Sequence, residues 1–218
     1  SIENCVFVEN TANVGGGAAI LGGAPTFVDC RFEGNLAATD GGGVWMAESG
    51  AAFESCRFVA NVADARGGGV RASGGDATFF DVEFRSNDAE LAGGGFAWFG
   101  AGSITLSSSL VTENTAPVGA GLWSEAGVST LELFETEVCG NEPDQIAGDF
   151  TDLGGNVLCL CAPDVNGDGQ VNGADLAEVL GSWGICDGPC DATDINGDGQ
   201  VNGADLAELL GSWGDCGG

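Results

Sequence analysis

Two stretches of the 218-residue chain carry oxygen-bearing side chains at a spacing suited to one kind of chemistry. From Asp164 the sequence reads DVNGDGQVNGADLAEVLGSWG, and from Asp194, an offset of 30, it reads DINGDGQVNGADLAELLGSWG. With the first aspartate as position 1, side chains at positions 1, 3, 5, 9 and 12 and the carbonyl of position 7 converge on a hard cation when a glycine at position 6 turns the chain sharply. The first stretch supplies Asp164, Asn166, Asp168, Asn172 and Asp175, with Gln170 for the carbonyl and Gly169 at the turn. The second supplies Asp194, Asn196, Asp198, Asn202 and Asp205, with Gln200 and Gly199. An all-oxygen donor set of this size suits calcium better than softer transition metals, so two Ca2+ ions are the expected cofactors. Aspartate in place of glutamate at position 12 shortens the last ligand and is expected to loosen both sites.

Each loop runs into one helix. Leu176, Val179, Leu180 and Trp183 in the first, and Leu206, Leu209, Leu210 and Trp213 in the second, fall at i, i+3, i+4 and i+7 and predict a buried stripe. Cys161-Ala-Pro163 precedes the first loop and residues 187–193 the second, so only the exiting helix of an EF-hand is present. Loop, helix, linker, loop, helix is the plan of the dockerin type I module, which residues 163–215 resemble. The resemblance implies calcium binding and docking onto cohesin domains through the helices, with duplication permitting two opposite orientations. Gly173-Ala174 and Gly203-Ala204 stand where well-studied dockerins place Ser/Thr pairs, and Leu180-Gly181 and Leu210-Gly211 stand where basic residues are usual. Calcium binding therefore carries over from the resemblance whereas cohesin binding does not, and the expected partner is either a cohesin-type domain or, in its place, another surface, this chain's own repeats or a second copy included.

Upstream, residues 41–61, GGGVWMAESGAAFESCRFVAN, recur as near copies. The closing asparagines are Asn10, Asn35, Asn61, Asn87, Asn114 and Asn141, separated by 25, 26, 26, 27 and 27. Such a period marks a solenoid whose units bury their apolar faces by stacking. Aligned units give apolar columns: Ile2, Phe27, Phe53, Phe79, Leu106 and Leu133; Phe7, Phe32, Phe58, Phe84, Val111 and Val138; Val44, Val70, Phe96 and Leu122; and a fourth of Met46, Ala72, Trp98 and Ser124. Charged Arg31, Arg57 and Glu83 alternate with the apolar positions, the period-two sign of strands with one face buried. Stacked about 4.8 Å apart, six coils form a rod of roughly 25 Å. The asparagines are expected to form an inward amide ladder, and the glycine triplets to make corners. No lysine follows a triplet, so none reads as a phosphate loop.

This part resembles the right-handed parallel β-helix family, most closely the repeats of polymorphic outer-membrane proteins. The resemblance rests on Gly16–Gly17, Gly42–Gly43, Gly68–Gly69 and Gly94–Gly95 paired with Phe7/Asn10, Phe32/Asn35, Phe58/Asn61 and Phe84/Asn87. The expected architecture is mainly β: a solenoid of about six coils of about 26 residues over 1–160, then a small α-helical calcium module over 161–218. The repeats weaken after Asn87, with Val111-Thr-Glu-Asn114 and Gly119-Ala120-Gly121 as poorer copies, and Val138-Cys-Gly-Asn141 leads into Glu142-Pro143, which predicts that the stack ends at Asn141 under a cap formed by residues 144–160.

A formal charge of −28, with five arginines, no lysine and no histidine, disfavours nucleic acid, whose phosphates need basic neutralisation. No run approaches a membrane span of about 20 apolar residues. Beginning inside a repeat, the sequence reads as a mature or excised piece. Family members are often adhesins, which implies a non-catalytic surface protein; fibre formation by self-association is the alternative. Other β-helix proteins are polysaccharide lyases and hydrolases, which keeps a polysaccharide contact open. A lyase would use Arg57 or Arg31 as base, yet these share an outward column with Glu83, and Asp40, Glu48, Asp64, Asp76 and Glu90 form no repeating column. No catalytic residue is assigned, since histidine, the commonest general acid/base, is absent.

Nine cysteines point to an oxidising compartment, hence a secreted or cell-surface protein. Cys5, Cys30 and Cys56 lie one coil apart, with parallel side chains unsuited to a disulfide, and are expected as buried free thiols. Cys139, Cys159, Cys161, Cys186, Cys190 and Cys216 suffice for three bridges. A Cys139–Cys159 bridge would staple the last coil to the cap; the other connectivities stay open, as does a metal site.

Overall fold

The fold, obtained as a computed structural model, is described for all residues except 126, 128–129, 159–162, 166–169, 186–192, 197 and 216–218. It divides into two compact units, Ser1–Leu158 and Cys159–Gly218.

Each coil of the first unit makes short strands that join parallel sheets. Sheet A runs through seven strands from Ile2–Glu3 to Thr151–Asp152, and sheet B through seven from Val6–Val8 to Val157–Leu158. Sheet C has four strands, Thr11–Ala12 to Asp88–Ala89, and sheet D has six, Ala18–Leu21 to Ile146–Ala147. Equivalent residues pair across coils without slippage, as in Phe27 with Phe53 and Phe58 with Phe84. A one-residue slip would turn the apolar set outward, so the alternation fixes the register. Inside, Phe27, Phe53 and Phe79 stack at 4.8 and 4.9 Å, with ring planes within 6°. Phe32, Phe58 and Phe84 form a second stack at 4.8 and 4.9 Å. The stacks meet edge to face, Phe53 to Phe58 at 5.6 Å and 65°, an arrangement favoured by the ring quadrupoles.

The asparagine column is a continuous ladder. Asn87 Oδ1 accepts from the Asn61 backbone N–H at 3.0 Å and from Asn61 Nδ2 at 2.9 Å, while Asn87 Nδ2 donates to Phe58 O and Asn114 Oδ1, both at 2.9 Å. Immediately before these asparagines the backbone turns left-handed at Glu9, Gly34, Ala60, Ser86, Glu113 and Gly140. A second left-handed column, Asn4, Asp29, Ser55, Asp81, Ser108 and Glu135, separates sheets A and B. These two corners are therefore built mostly without glycine. The triplets serve the corner before sheet D, where close approach decides the residue: a Cβ at Gly43 would lie 2.5 Å from Gly69 O and 3.2 Å from the Asn61 side chain.

The stack does not end at Asn141. Ile146–Ala147, Thr151–Asp152 and Val157–Leu158 add one more strand to sheets D, A and B, so the expected cap is a further, shortened turn. Gln145 supplies the amide that the sequence period lacks there, its Oε1 accepting from Asn141 N at 3.1 Å and Asn141 Nδ2 at 2.8 Å. Arg57 and Glu83 pair across coils at 3.4 Å, Arg31 reaches Glu33 of its own strand at 2.6 Å, and Arg85 reaches Glu83 at 3.2 Å. Cys5, Cys30 and Cys56 are free thiols. Burial pushes the Cys56 thiol up to about 11, so it remains a neutral core residue that donates to Glu54 O at 3.3 Å. Cys139 is disulfide-bonded; Cys159, Cys161, Cys186, Cys190 and Cys216 lie outside the described residues.

In the second unit, α1 (Gly173–Gly181) and α2 (Gly203–Gly211) follow the two loops. Gln170–Val171 pairs antiparallel with Gly214–Asp215, and Gly184–Ile185 with Gln200–Val201, so each loop is tied to the segment after the other helix. The core is Val171, Val179, Val201 and Leu209, with Val165, Leu176 and Ile195 packed against it. The helical stripe is narrower than its periodicity suggests. Val179 and Leu209 are buried, but Leu180 and Trp183 are 52% and 50% exposed and Leu210 and Trp213 are 52% and 49% exposed. Nine-residue helices present one line of contact to so small a core, and the i+4 and i+7 positions face away from it.

Replacing Asn87 by Ala is expected to lower stability by about 2–4 kcal/mol, because the Asn61 N–H and the Phe58 carbonyl lose their buried partners. Asn10→Ala, at an exposed position, should change the urea midpoint far less. Equal shifts for both variants would show that the ladder carries no special weight.

Candidate metal centre

The second loop shows how these side chains are held. Asp194 accepts from two backbone N–H groups, Asp198 N to Oδ1 at 3.1 Å and Gly199 N to Oδ2 at 3.0 Å. Asn196 Oδ1 accepts from Asp198 N at 2.9 Å, and Asp198 Oδ1 from Gln200 N at 2.9 Å. The chain thus curls round its own carboxyl and amide oxygens, with Gly199 at φ +88 where the turn demands it.

Asp205 closes the loop and is fully buried. Its Oδ1 accepts from Asn196 N at 3.2 Å and its Oδ2 from Asn202 N at 2.8 Å. Burial alone would raise this carboxyl, but the backbone N–H groups of Asn202 and Asn196 outweigh it and hold Asp205 below its ordinary value, ionised. Asn202 in turn caps α2, its Oδ1 accepting from Ala204 N at 2.8 Å. The first loop repeats the scheme: Asp175, also fully buried, accepts from Val165 N at 2.9 Å and Asn172 N at 2.8 Å, and Asn172 caps α1 through Ala174 N at 2.8 Å.

Position 12 and position 9 therefore have a second job as a reciprocal capping box. That role was readable in Asn172-Gly-Ala-Asp175 and Asn202-Gly-Ala-Asp205, and the reading of both pairs as ligands alone passed over it. The donor set fits calcium. Burial of the ionised Asp205 carboxylate leaves a charge that a cation offsets. Asp194, Asn196, Asp198, Asn202 and Asp205, with the Gln200 carbonyl, would hold the ion in the second loop. In the first, Asp164, Asn172 and Asp175 belong to described parts of the chain, whereas Asn166 and Asp168 lie outside the described residues. Among the described residues no group of three or more His, Cys, Asp or Glu stands together as a metal cluster; the loops draw on amide and carbonyl oxygens as well. Bound calcium would supply no reaction step, only charge neutralisation and cross-linking of the loop.

A mainly β solenoid of about six turns, followed by two short helices behind duplicated oxygen-rich loops, defines a scaffold carrying a small calcium-type module. Residues 162–210 match the family model of the Dockerin type I domain. A dockerin type I domain is an assembly or attachment module that implies calcium and a cohesin partner. Neither a curated protein nor a solved structure matches the chain. Among the described residues no helix is long and apolar enough to cross a membrane.

Replacing Asp205 by Ala is expected to destabilise the capped α2 by about 1 kcal/mol and to reduce the calcium-induced rise in melting temperature of the helical signal. Asp81→Ala, an exposed carboxylate on the first unit, is the reference and should leave the calcium response intact. An Asp205→Ala protein whose calcium response matches the parent would exclude position 12 as a ligand.

Proposed function

We propose that this chain is a non-catalytic, secreted or cell-surface attachment protein, in which the solenoid is a scaffold and the C-terminal module binds two calcium ions to dock onto a cohesin-type partner. The observation that carries the reading is the match of residues 162–210 to the dockerin type I domain, combined with two loops built alike around Asp175 and Asp205. The docking faces are the exposed pairs Leu180/Trp183 and Leu210/Trp213, one per helix and equivalent under the 30-residue repeat. They are apolar, in keeping with the Gly-Ala and Leu-Gly pairs at positions where polar and basic residues are usual. Tryptophan anchors of this kind are enriched among the residues that dominate interface energies.

The non-catalytic reading is supported by the absence of histidine from the sequence and by the engagement of Arg31, Arg57 and Arg85 in carboxylate pairs. Secretion is supported by nine cysteines and by calcium loops suited to a calcium-rich medium. Remaining disulfides among Cys159, Cys161, Cys186, Cys190 and Cys216 belong to the same proposal.

The test is capture of the full chain on immobilised cohesin domains. Retention in calcium and release by EDTA are expected. Leu180→Glu/Trp183→Glu alone and Leu210→Glu/Trp213→Glu alone should each keep binding through the remaining face, and the quadruple variant should lose it. Capture by no cohesin of a representative panel, or retention unaffected by EDTA, would contradict the docking role.

A further inference from the structure

Sheet D presents an outer face that packing of the solenoid interior does not explain. Its strands pair so that Trp45, Arg71, Ala97 and Trp123 form one outward column, with Phe99 two residues beyond Ala97 on the same face. Outward strand positions are ordinarily polar, yet three partly exposed aromatic residues collect here. The Phe99 and Trp123 ring centroids are 4.5 Å apart. Two of the chain's five cationic residues join them: the Arg71 and Arg66 guanidinium carbons lie 4.7 and 5.3 Å from the Phe99 centroid. Asp40 Oδ2 is 4.0 Å from Arg71 Nε, beyond hydrogen-bond reach. The Asp40 and Arg71 side chains keep 24% and 17% of their surface exposed beside the rings.

We propose that this face binds an uncharged polysaccharide. Ring planes offer flat apolar contact to the C–H faces of sugars, and polar groups beside such planes fix orientation. A hydroxyl is both donor and acceptor, so it matches the partly exposed Asp40 carboxylate beside the partly exposed Arg71 guanidinium. Trp45 and Trp123 are three strand steps apart, roughly 14 Å along the stacking direction. That straight row suits a linear polymer rather than a compact ligand. Charge selects among polymers: at −28 the chain repels anionic polysaccharides and nucleic acids at long range, and Arg66 and Arg71 oppose a polycation locally. An uncharged glycan meets neither penalty. The inference is independent of docking by the C-terminal module.

Native affinity electrophoresis of the full chain tests it, in gels cast with a soluble β-glucan, a soluble galactomannan or polygalacturonate. Retardation by at least one uncharged polymer is expected, with about tenfold weaker affinity for Trp123→Ala, a change of about 1.4 kcal/mol, and a similar loss for Phe99→Ala. Val6→Ala, 63% exposed on sheet B, should bind like the parent. Thermal melting confirms folding; if Trp123→Ala does not fold, Asp40→Asn takes its place, with a several-fold loss expected. The proposal falls if neither uncharged polymer retards the chain, if polygalacturonate does so more strongly, or if Trp123→Ala retains full binding. It also falls if ultracentrifugation finds self-association that Trp123→Ala abolishes, which would make the face an interface between copies.

Discussion

Everything in the first unit depends on one repeated distance, the separation of hydrogen-bonded parallel strands at about 4.8 Å. Each coil must return to the same height above its predecessor, so every side chain inside the stack meets its own equivalent. Phenylalanines answer by stacking face to face at 4.8–4.9 Å, and asparagines by bridging one coil to the next with both amide atoms. Where the backbones of adjacent coils come closest, only glycine fits, as at Gly43 against Gly69 O. The periodicity of the sequence is this spacing written in residue types.

The second unit solves a different problem with few residues. Its apolar core is a handful of side chains, too small to hold two loops of oxygen ligands by itself. The fold compensates by giving Asp175 and Asp205 two tasks each, receiving backbone N–H groups of the loop and completing the cap of the following helix. Cation and helix are thereby coupled: whatever neutralises the buried carboxylate also steadies the helix start, and with it the exposed Leu and Trp pairs on the far side.

Column membership was legible because inward positions repeat: Ile2 with Phe27, Val44 with Val70 and Asn61 with Asn87 are neighbours in space as in the alignment. The left-handed corners at Ser55, Asp81 and Ala60 were not, because several residue types tolerate that backbone once the neighbouring ladder fixes it. The extra turn beyond Asn141 was hidden because Gln145 and Asn156 supply amides out of period, Asn156 Oδ1 accepting from Thr136 N at 2.9 Å. In the candidate metal centre the expected ligand positions come from loop spacing alone, whereas the exposure of Trp183 and Trp213 depends on how little core lies beneath the helices, which periodicity does not report. The aromatic and arginine face of sheet D escaped notice for the converse reason, since Trp45, Phe99 and Trp123 occupy outward positions that need not repeat.

The structure thus separates a scaffold held by stacked equivalents from a module organised around buried carboxylates. Hydrogen–deuterium exchange with and without calcium examines that division most directly. Backbone amides of Asn196, Asn202 and Ala204 should exchange more slowly when calcium is added, while those of Asn61, Asn87 and Asn114 stay unchanged. Calcium-insensitive exchange in the loop, or a calcium effect confined to the asparagine ladder, would contradict it.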